Sequence, residues 1–271
     1  MALSVIVIGT SLNSCQKKFD PKSYAPAQTF NGYTSSNEVA KSSLIAYWGF
    51  EGTLTDSTSG TSATNFGTSF TTGIKGQALQ GGLNNYALFT PTPAIKALQS
   101  MTLAYWVSTP QNTNGIMDPV CFANSTQFWS NVDMFFDGQT PSSAVFKIHV
   151  FGNGGASEAW MTNWTLNNPW GNWMHIVLTY DESSSKFIFY VNGVQFGSSV
   201  QPNFGPLNFS NFPAIVFGTV QFQTSPSLTS ATTSQGWASY LTGALDQVRI
   251  YNKALGADDV KALYQLENLG K

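Results

Sequence analysis

The chain has 271 residues, only 10% of them charged, and its net charge is −2 with a single arginine, Arg249. This balance excludes the basic patch that nucleic-acid binding requires and a polybasic stripe for membrane surfaces. The length suits one large β domain, since sandwiches reach about 250 residues as single domains.

The N-terminal segment is typical of a bacterial lipoprotein signal. Its apolar run, 3–8, is shorter than the roughly 20 residues that span a bilayer, and small polar residues follow, as at a cleavage site. The tetrad Leu12-Asn13-Ser14-Cys15 resembles a lipobox, in which the chain is cut before the cysteine and the thiol is acylated. We therefore predict a signal peptide over 1–14, lipidation of Cys15 and an extracytoplasmic location. The alternative is an apolar N-terminus with an incidental cysteine, since no Lys or Arg precedes the run.

The rest of the chain divides into a tether and one domain. Residues 16–42 carry Pro, Ser, Asn and Lys without apolar periodicity, which predicts a lipid anchor and flexible tether over 15–42. A domain over 43–271 follows, where β-like runs alternate with turn residues. Its predicted strands are 44–50, 101–107, 144–151, 173–180, 186–191, 213–218 and 243–251. Asn192-Gly193 predicts a hairpin turn, and Asp258-Asp259 opens a helix with its acids near the positive dipole end.

Five motifs, in order, resemble laminin-G-like domains of the concanavalin A-like lectin-glucanase class. They are LIAYWGFEG at 44–52, GQAL at 76–79, MTLAYWV at 101–107, WMHIVLTYD with YVNGV at 173–194, and GALDQVRIYNKAL at 243–255. The resemblance covers roughly residues 43–267, with a long insertion over 108–170. It implies an all-β, two-sheet antiparallel jelly-roll sandwich with one short C-terminal helix. Lipoproteins of this type in the Bacteroidetes sit beside glycan-uptake machinery, which is therefore a predicted partner.

The resemblance also implies a structural calcium ion. Many domains of this family bind one between the opening loop and the closing strand, where Glu51, Asp56 and Asp246 stand in this chain. Carboxylate oxygens are ligands that calcium prefers. The alternative is ordinary turn chemistry, because Asp56-Ser57 suits an Asx turn and Asp246 can hold a loop.

The titratable residues predict no catalytic site. Glycosidases need two carboxylates across one cleft, and Asp133 and Asp137 approach this pattern only if a bulge-free strand turns both to one face. That pair leaves a glycan-cleaving enzyme of the same fold as an alternative. His149 and His175 lie inside predicted strands, where a structural histidine is expected. No Ser-His-Asp order and no metal-binding Cys/His spacing can be assembled.

Aromatic residues among amides form the candidate carbohydrate site. Sugars stack their C–H faces on flat rings, and their hydroxyls need polar partners. The four candidates outside the family strand motifs are Trp129, Trp160, Trp164 and Trp237. Trp160 and Trp164 are four residues apart, so a regular strand would place both on one face. The alternative for all four is packing at the edge of the core.

These observations predict a non-catalytic carbohydrate-binding lipoprotein in the outer membrane or periplasm. Its membrane contact is through the lipid anchor only, and no nucleic-acid partner is expected. A protein-interaction or adhesion module of the same fold is the first alternative, and the enzyme is the second. The scarcity of Lys and Arg clusters argues against sulfated ligands.

Overall fold

The computed structural model of the protein describes residues 28–271, apart from the side chain of Gln139. The predicted signal peptide, Cys15 and the first part of the tether lie outside these residues. The strands within them are β1 Leu44–Trp48, β2 Thr64–Phe66, β3 Ser69–Thr72, β4 Gln77–Gln80, β5 Tyr86–Phe89, β6 Met101–Ser108, β7 Val120–Phe122, β8 Val132–Thr140, β9 Ser143–Gly152, β10 Ser157–Asn167, β11 Met174–Asp181, β12 Lys186–Val191, β13 Val194–Val200, β14 Ile215–Phe217 and β15 Ala244–Tyr251. The helices are α1 Pro93–Lys96 and α2 Ala257–Asn268.

The strands form two antiparallel sheets. The first has the order β13-β12-β11-β6-β15-β4-β3, with β1 also paired to β15, and the second has the order β10-β9-β8-β7-β14-β5-β2. This arrangement confirms the predicted all-β sandwich with a C-terminal helix. The predicted hairpin is also present: Asn192 and Gly193 join β12 to β13 with φ values of 51° and 74°, as this turn requires.

The main core lies between the sheets. Trp48 of β1 meets Phe89 of β5 and Phe217 of β14 edge-on, at 4.7 and 5.1 Å between ring centroids. Burying each such side chain contributes about 1.5–3 kcal/mol to folding. The central strand β6 is buried along nearly its whole length, because its Leu103 faces this core while Ala104 faces a second cluster under α2.

Residues 28–42 pack along α2, although the sequence predicts a flexible tether there. Asn31 and Tyr33 both donate hydrogen bonds to the Asp259 carboxylate, at 2.9 and 3.0 Å. Val39 is buried in the cluster under α2, with Phe30 packed against it. The folded part of the chain therefore begins before residue 43. The apolar residues responsible are too widely spaced to produce a helical or strand period.

The segment predicted as an insertion, 108–170, belongs to the sandwich itself. It contains β7, β8, β9 and β10, which are consecutive neighbours in the second sheet. The outward face of β8, β9 and β10 carries the candidate functional site. Within residues 28–271, no helix is both long enough and apolar enough to cross a membrane.

Candidate functional site

A groove of about 510 Å³ lies on the outer face of the second sheet. Its floor is built from β8, β9 and β10, where Phe135 pairs with Lys147 and His149 pairs with Trp160 across the strands. Three loops complete the walls: one between β6 and β7, one between β7 and β8, and one between β14 and β15. The residues lining the groove are Gly115, Ile116, Trp129, Phe135, Asp137, Lys147, Trp160, Thr162 and Trp237.

Three tryptophans converge in this groove. Trp129 stacks on Phe135 with 5.4 Å between centroids and 5° between planes, which fixes it against the sheet. It meets Trp160 edge-on at 5.1 Å and Trp237 at 6.2 Å. Trp160 and Trp237 remain 37% and 44% exposed. The groove therefore presents two accessible aromatic rings on a packed aromatic base.

The polar groups of the groove are arranged in two sets. In the first, Lys147 Nζ contacts Asp137 Oδ2 at 2.5 Å, and both side chains are about a third exposed. In the second, the buried His149 ring joins two carboxylates: its Nδ1 lies 3.1 Å from Asp133 Oδ2 and its Nε2 lies 3.1 Å from Glu158 Oε1. We call Asp133, His149 and Glu158 the imidazole–carboxylate array.

Trp164 lies on the other side of the sheet, so the prediction that it shares a face with Trp160 is wrong. The register of β10 against β9 shifts between Met161 and Trp164, and such a bulge reverses the alternation of side chains. Trp164 consequently faces the core, where it stacks on Phe189 of β12 at 4.8 Å and 9°. The structure thus brings together three of the four candidate tryptophans.

Comparison with known families identifies the fold. Residues 80–261 match the family described as Concanavalin A-like lectin/glucanases superfamily, a laminin-G-type domain. The chain belongs to this superfamily. No curated protein matches the chain.

Solved structures agree with this superfamily fold. The binding domain of Paraclostridial Mosquitocidal Protein 1 has a TM-score of 0.60 and 16% identity over 83% of this chain and 52% of its own. Domain 4 of the arabinanase AbnA from Geobacillus stearothermophilus, in complex with arabinotriose, has a TM-score of 0.56 and 19% identity over 82% of this chain and 98% of its own. The botulinum neurotoxin serotype D binding domain has a TM-score of 0.55 and 12% identity over 82% of this chain and 51% of its own. The chain thus spans about half of each toxin domain and nearly all of the arabinanase domain.

The acidic residues predicted to bind calcium accept hydrogen bonds from the backbone in this superfamily domain. Asp56 accepts hydrogen bonds from the backbone N–H groups of Tyr47, Thr58 and Ser59, so it closes a turn. Asp246 accepts from the backbone of Lys75 and Gln247, and burial raises its pKa to about 7.

Glu51 accepts from the backbone of Gln77. Glu51, Asp56 and Asp246 do not form a group whose ligand oxygens lie within 4.8 Å of one another. The calcium ion at these residues stays a prediction.

A different group of potential ligands lies beneath the groove. Among the described residues, Asp118, Cys121 and Asp133 are the one set of three with ligand atoms within 4.8 Å of one another, and all are buried. Burial, reinforced by the Asp133 charge, raises the pKa of Asp118 well above its usual value. Burial likewise raises the pKa of the Cys121 thiol, which keeps it protonated and unreactive.

The two acids considered for catalysis differ in their exposure to solvent. Asp133 and Asp137 do lie on one face of β8, since their partners in β9 are His149 and Val145. Asp133 is nevertheless fully buried, with Oδ2 accepting from the backbone of Ser130 at 2.8 Å. Asp137 is the one carboxylate among the residues lining the groove. These two residues therefore do not flank a cleft.

The second histidine is structural. His175 is buried against the Trp106 ring, with 5.1 Å between centroids. Burial first, and the charge of Arg249 second, lower its pKa to about 3. His175 is therefore neutral at physiological pH and lies in the first sheet, away from the groove.

Proposed function

We propose that the protein is a non-catalytic carbohydrate-binding module and that its ligand lies in the groove on the second sheet. The observation that carries the proposal is the pair of exposed rings, Trp160 and Trp237, beside the charged groups of Lys147 and Asp137. Sugar C–H faces stack on such rings, while hydroxyls bond to charged and amide groups. The likeness to an arabinanase domain in complex with arabinotriose supports this class of ligand.

The geometry favours binding without cleavage. Hydrolysis of a glycosidic bond requires a proton donor and a second carboxylate on opposite sides of the sugar. Asp137, the carboxylate among the lining residues, is held by Lys147 at 2.5 Å, and the Glu158 carboxylate beside Trp160 is held by His149 Nε2 and Trp160 Nε1. The similar solved structures are two toxin binding domains and domain 4 of an arabinanase. The alternatives to carbohydrate binding are a protein-interaction module and a glycan-cleaving enzyme of the same fold.

Replacing Trp160 with alanine is expected to weaken glycan binding. The ring offers its exposed face to the groove, and losing one stacking face costs about 1–3 kcal/mol, or roughly 5- to 150-fold in affinity. An array of neutral and acidic oligosaccharides would identify a ligand for the wild type, and calorimetry would compare the variants. Phe196→Ala is the matched control, because this ring is 44% exposed on β13 of the other sheet.

Three results would contradict the proposal in different ways. A folded Trp160→Ala protein that keeps full affinity would place the ligand elsewhere. An array without any bound glycan, together with capture of a purified protein ligand, would favour the adhesion alternative. Release of reducing sugars from the bound glycan would favour the enzyme.

We further propose that the module is displayed outside the cytoplasm on a lipid anchor at Cys15. The support is the LNSC tetrad after a short apolar run. Mass spectrometry of the membrane fraction is expected to show a mature chain that starts at an acylated Cys15, and Cys15→Ser should release the protein. A wild-type chain that stays soluble and unprocessed would contradict this proposal. Glycan-uptake proteins are the partners expected beside such an anchor.

A further inference from the structure

Glu158 lies beside Trp160 at the groove. The two residues are alternate positions of β10 and so share its outward face. Trp160 Nε1 donates to Glu158 Oε1 at 3.0 Å, and the same oxygen lies 3.1 Å from His149 Nε2. The His149 ring in turn sits 4.5 Å from the Trp160 ring. The carboxylate is therefore held at a defined position relative to the aromatic ring on which a sugar would stack.

The support behind Glu158 is rigid. His149 is fully buried, and its other nitrogen lies 3.1 Å from Asp133 Oδ2, which is also buried. Glu158 itself is 48% exposed. Its second oxygen, Oε2, has no hydrogen-bond partner among the described residues, so it is available to an incoming hydroxyl. A carboxylate oxygen accepts such bonds about twice as strongly as a neutral group does.

The charges around the groove favour a neutral ligand. Lys147, the one cation among the lining residues, is already paired with Asp137. In the imidazole–carboxylate array, two carboxylates face one imidazole, and no lining residue of the groove brings a further cation to them. An anionic sugar would thus approach an uncompensated negative charge, and it could gain Lys147 only by separating that residue from Asp137.

We propose that the groove selects neutral glycans over uronic or sialic acid-containing ones, with Glu158 as the residue that determines this specificity. Glu158 Oε2 accepts hydrogen bonds from hydroxyls of the sugar that stacks on Trp160. The same charge repels carboxylated sugars. This inference rests on the proposed function, since it concerns the ligand of the same groove.

The test compares matched neutral and acidic glycans. We would measure binding of galactan against polygalacturonan fragments, and of lactose against sialyllactose, to the wild type and to Glu158→Gln. The wild type should prefer the neutral member of whichever pair it binds by about tenfold or more. In Glu158→Gln, affinity for the neutral member should fall about tenfold and the discrimination should largely disappear. Glu182→Gln, a matched change in the connection between β11 and β12 of the other sheet, should alter neither value.

The outcomes separate the two proposals. Equal or tighter binding of the acidic member by the wild type would overturn the inference and leave carbohydrate binding intact. Unchanged affinities in a folded Glu158→Gln protein would do the same. Binding of none of these glycans, nor of any other on an array, would overturn the proposed function itself.

Discussion

Replacing Glu267 with leucine is expected to destabilise the protein by about 3–5 kcal/mol, because the change leaves a buried arginine without its counter-charge. Arg249 and Glu267 are both fully buried, and Arg249 Nε donates to Glu267 Oε1 at 2.7 Å. Trp106 Nε1 donates to the other carboxylate oxygen at 2.7 Å. Glu267 thus joins α2 to two central strands of the first sheet.

The double variant Arg249→Met with Glu267→Leu is the control for this prediction. Two apolar side chains of similar size leave no unpaired charge, and buried ion pairs replaced in this way often lose little stability. Some loss remains, because Arg249 Nη2 also donates to Asn37 Oδ1 at 3.0 Å. Urea unfolding followed by tryptophan fluorescence should therefore show the double variant to be more stable than Glu267→Leu alone. A single variant within about 1 kcal/mol of the wild type would contradict the expected effect.

The fold is largely predictable from sequence, because its strands carry their own signals. The runs at 101–107, 173–180 and 186–191 combine apolar and β-branched residues with turn residues at their ends, and each coincides with a strand. The segment 28–42 carries no such signal. Its packing depends on single contacts, such as those of Tyr33 with Asp259 and of Asn37 with Arg249. Contacts between residues so far apart in the chain leave no local pattern.

The candidate site is predictable only in part. Trp129 and Trp237 stand out by their amide-rich surroundings, but their meeting depends on which strands are neighbours in the second sheet. Glu158 lies in the same segment as Trp160, yet its importance follows from the register that places His149 opposite Trp160. Because side chains alternate along a strand, the sequence could have suggested that Asp133 and His149 both point to the outer face of the sheet. That the two residues are direct neighbours follows only from the pairing of β8 with β9.

Replacing Trp164 with alanine is expected to cost about 3 kcal/mol of stability and to leave glycan affinity unchanged. The ring is partly buried, packs against the main core and stacks on Phe189 at 4.8 Å, so it links the edge of one sheet to the other. Truncating a buried tryptophan opens a cavity, with losses of about 3–5 kcal/mol for fully buried rings. The partial exposure of Trp164 places it at the lower end of this range.

Trp160→Ala should show the opposite behaviour, which makes the two variants controls for each other. Trp160 remains 37% exposed and lines the groove, so its loss should reduce affinity more than stability. Unfolding free energy and glycan affinity would be measured on both proteins, with affinity taken at a temperature where both are folded. The contrast depends on the bulge in β10, which turns Trp160 outward and Trp164 inward. If Trp164→Ala remains as stable as the wild type and loses affinity, the ligand contacts the other face of β10 and the groove is not the binding site.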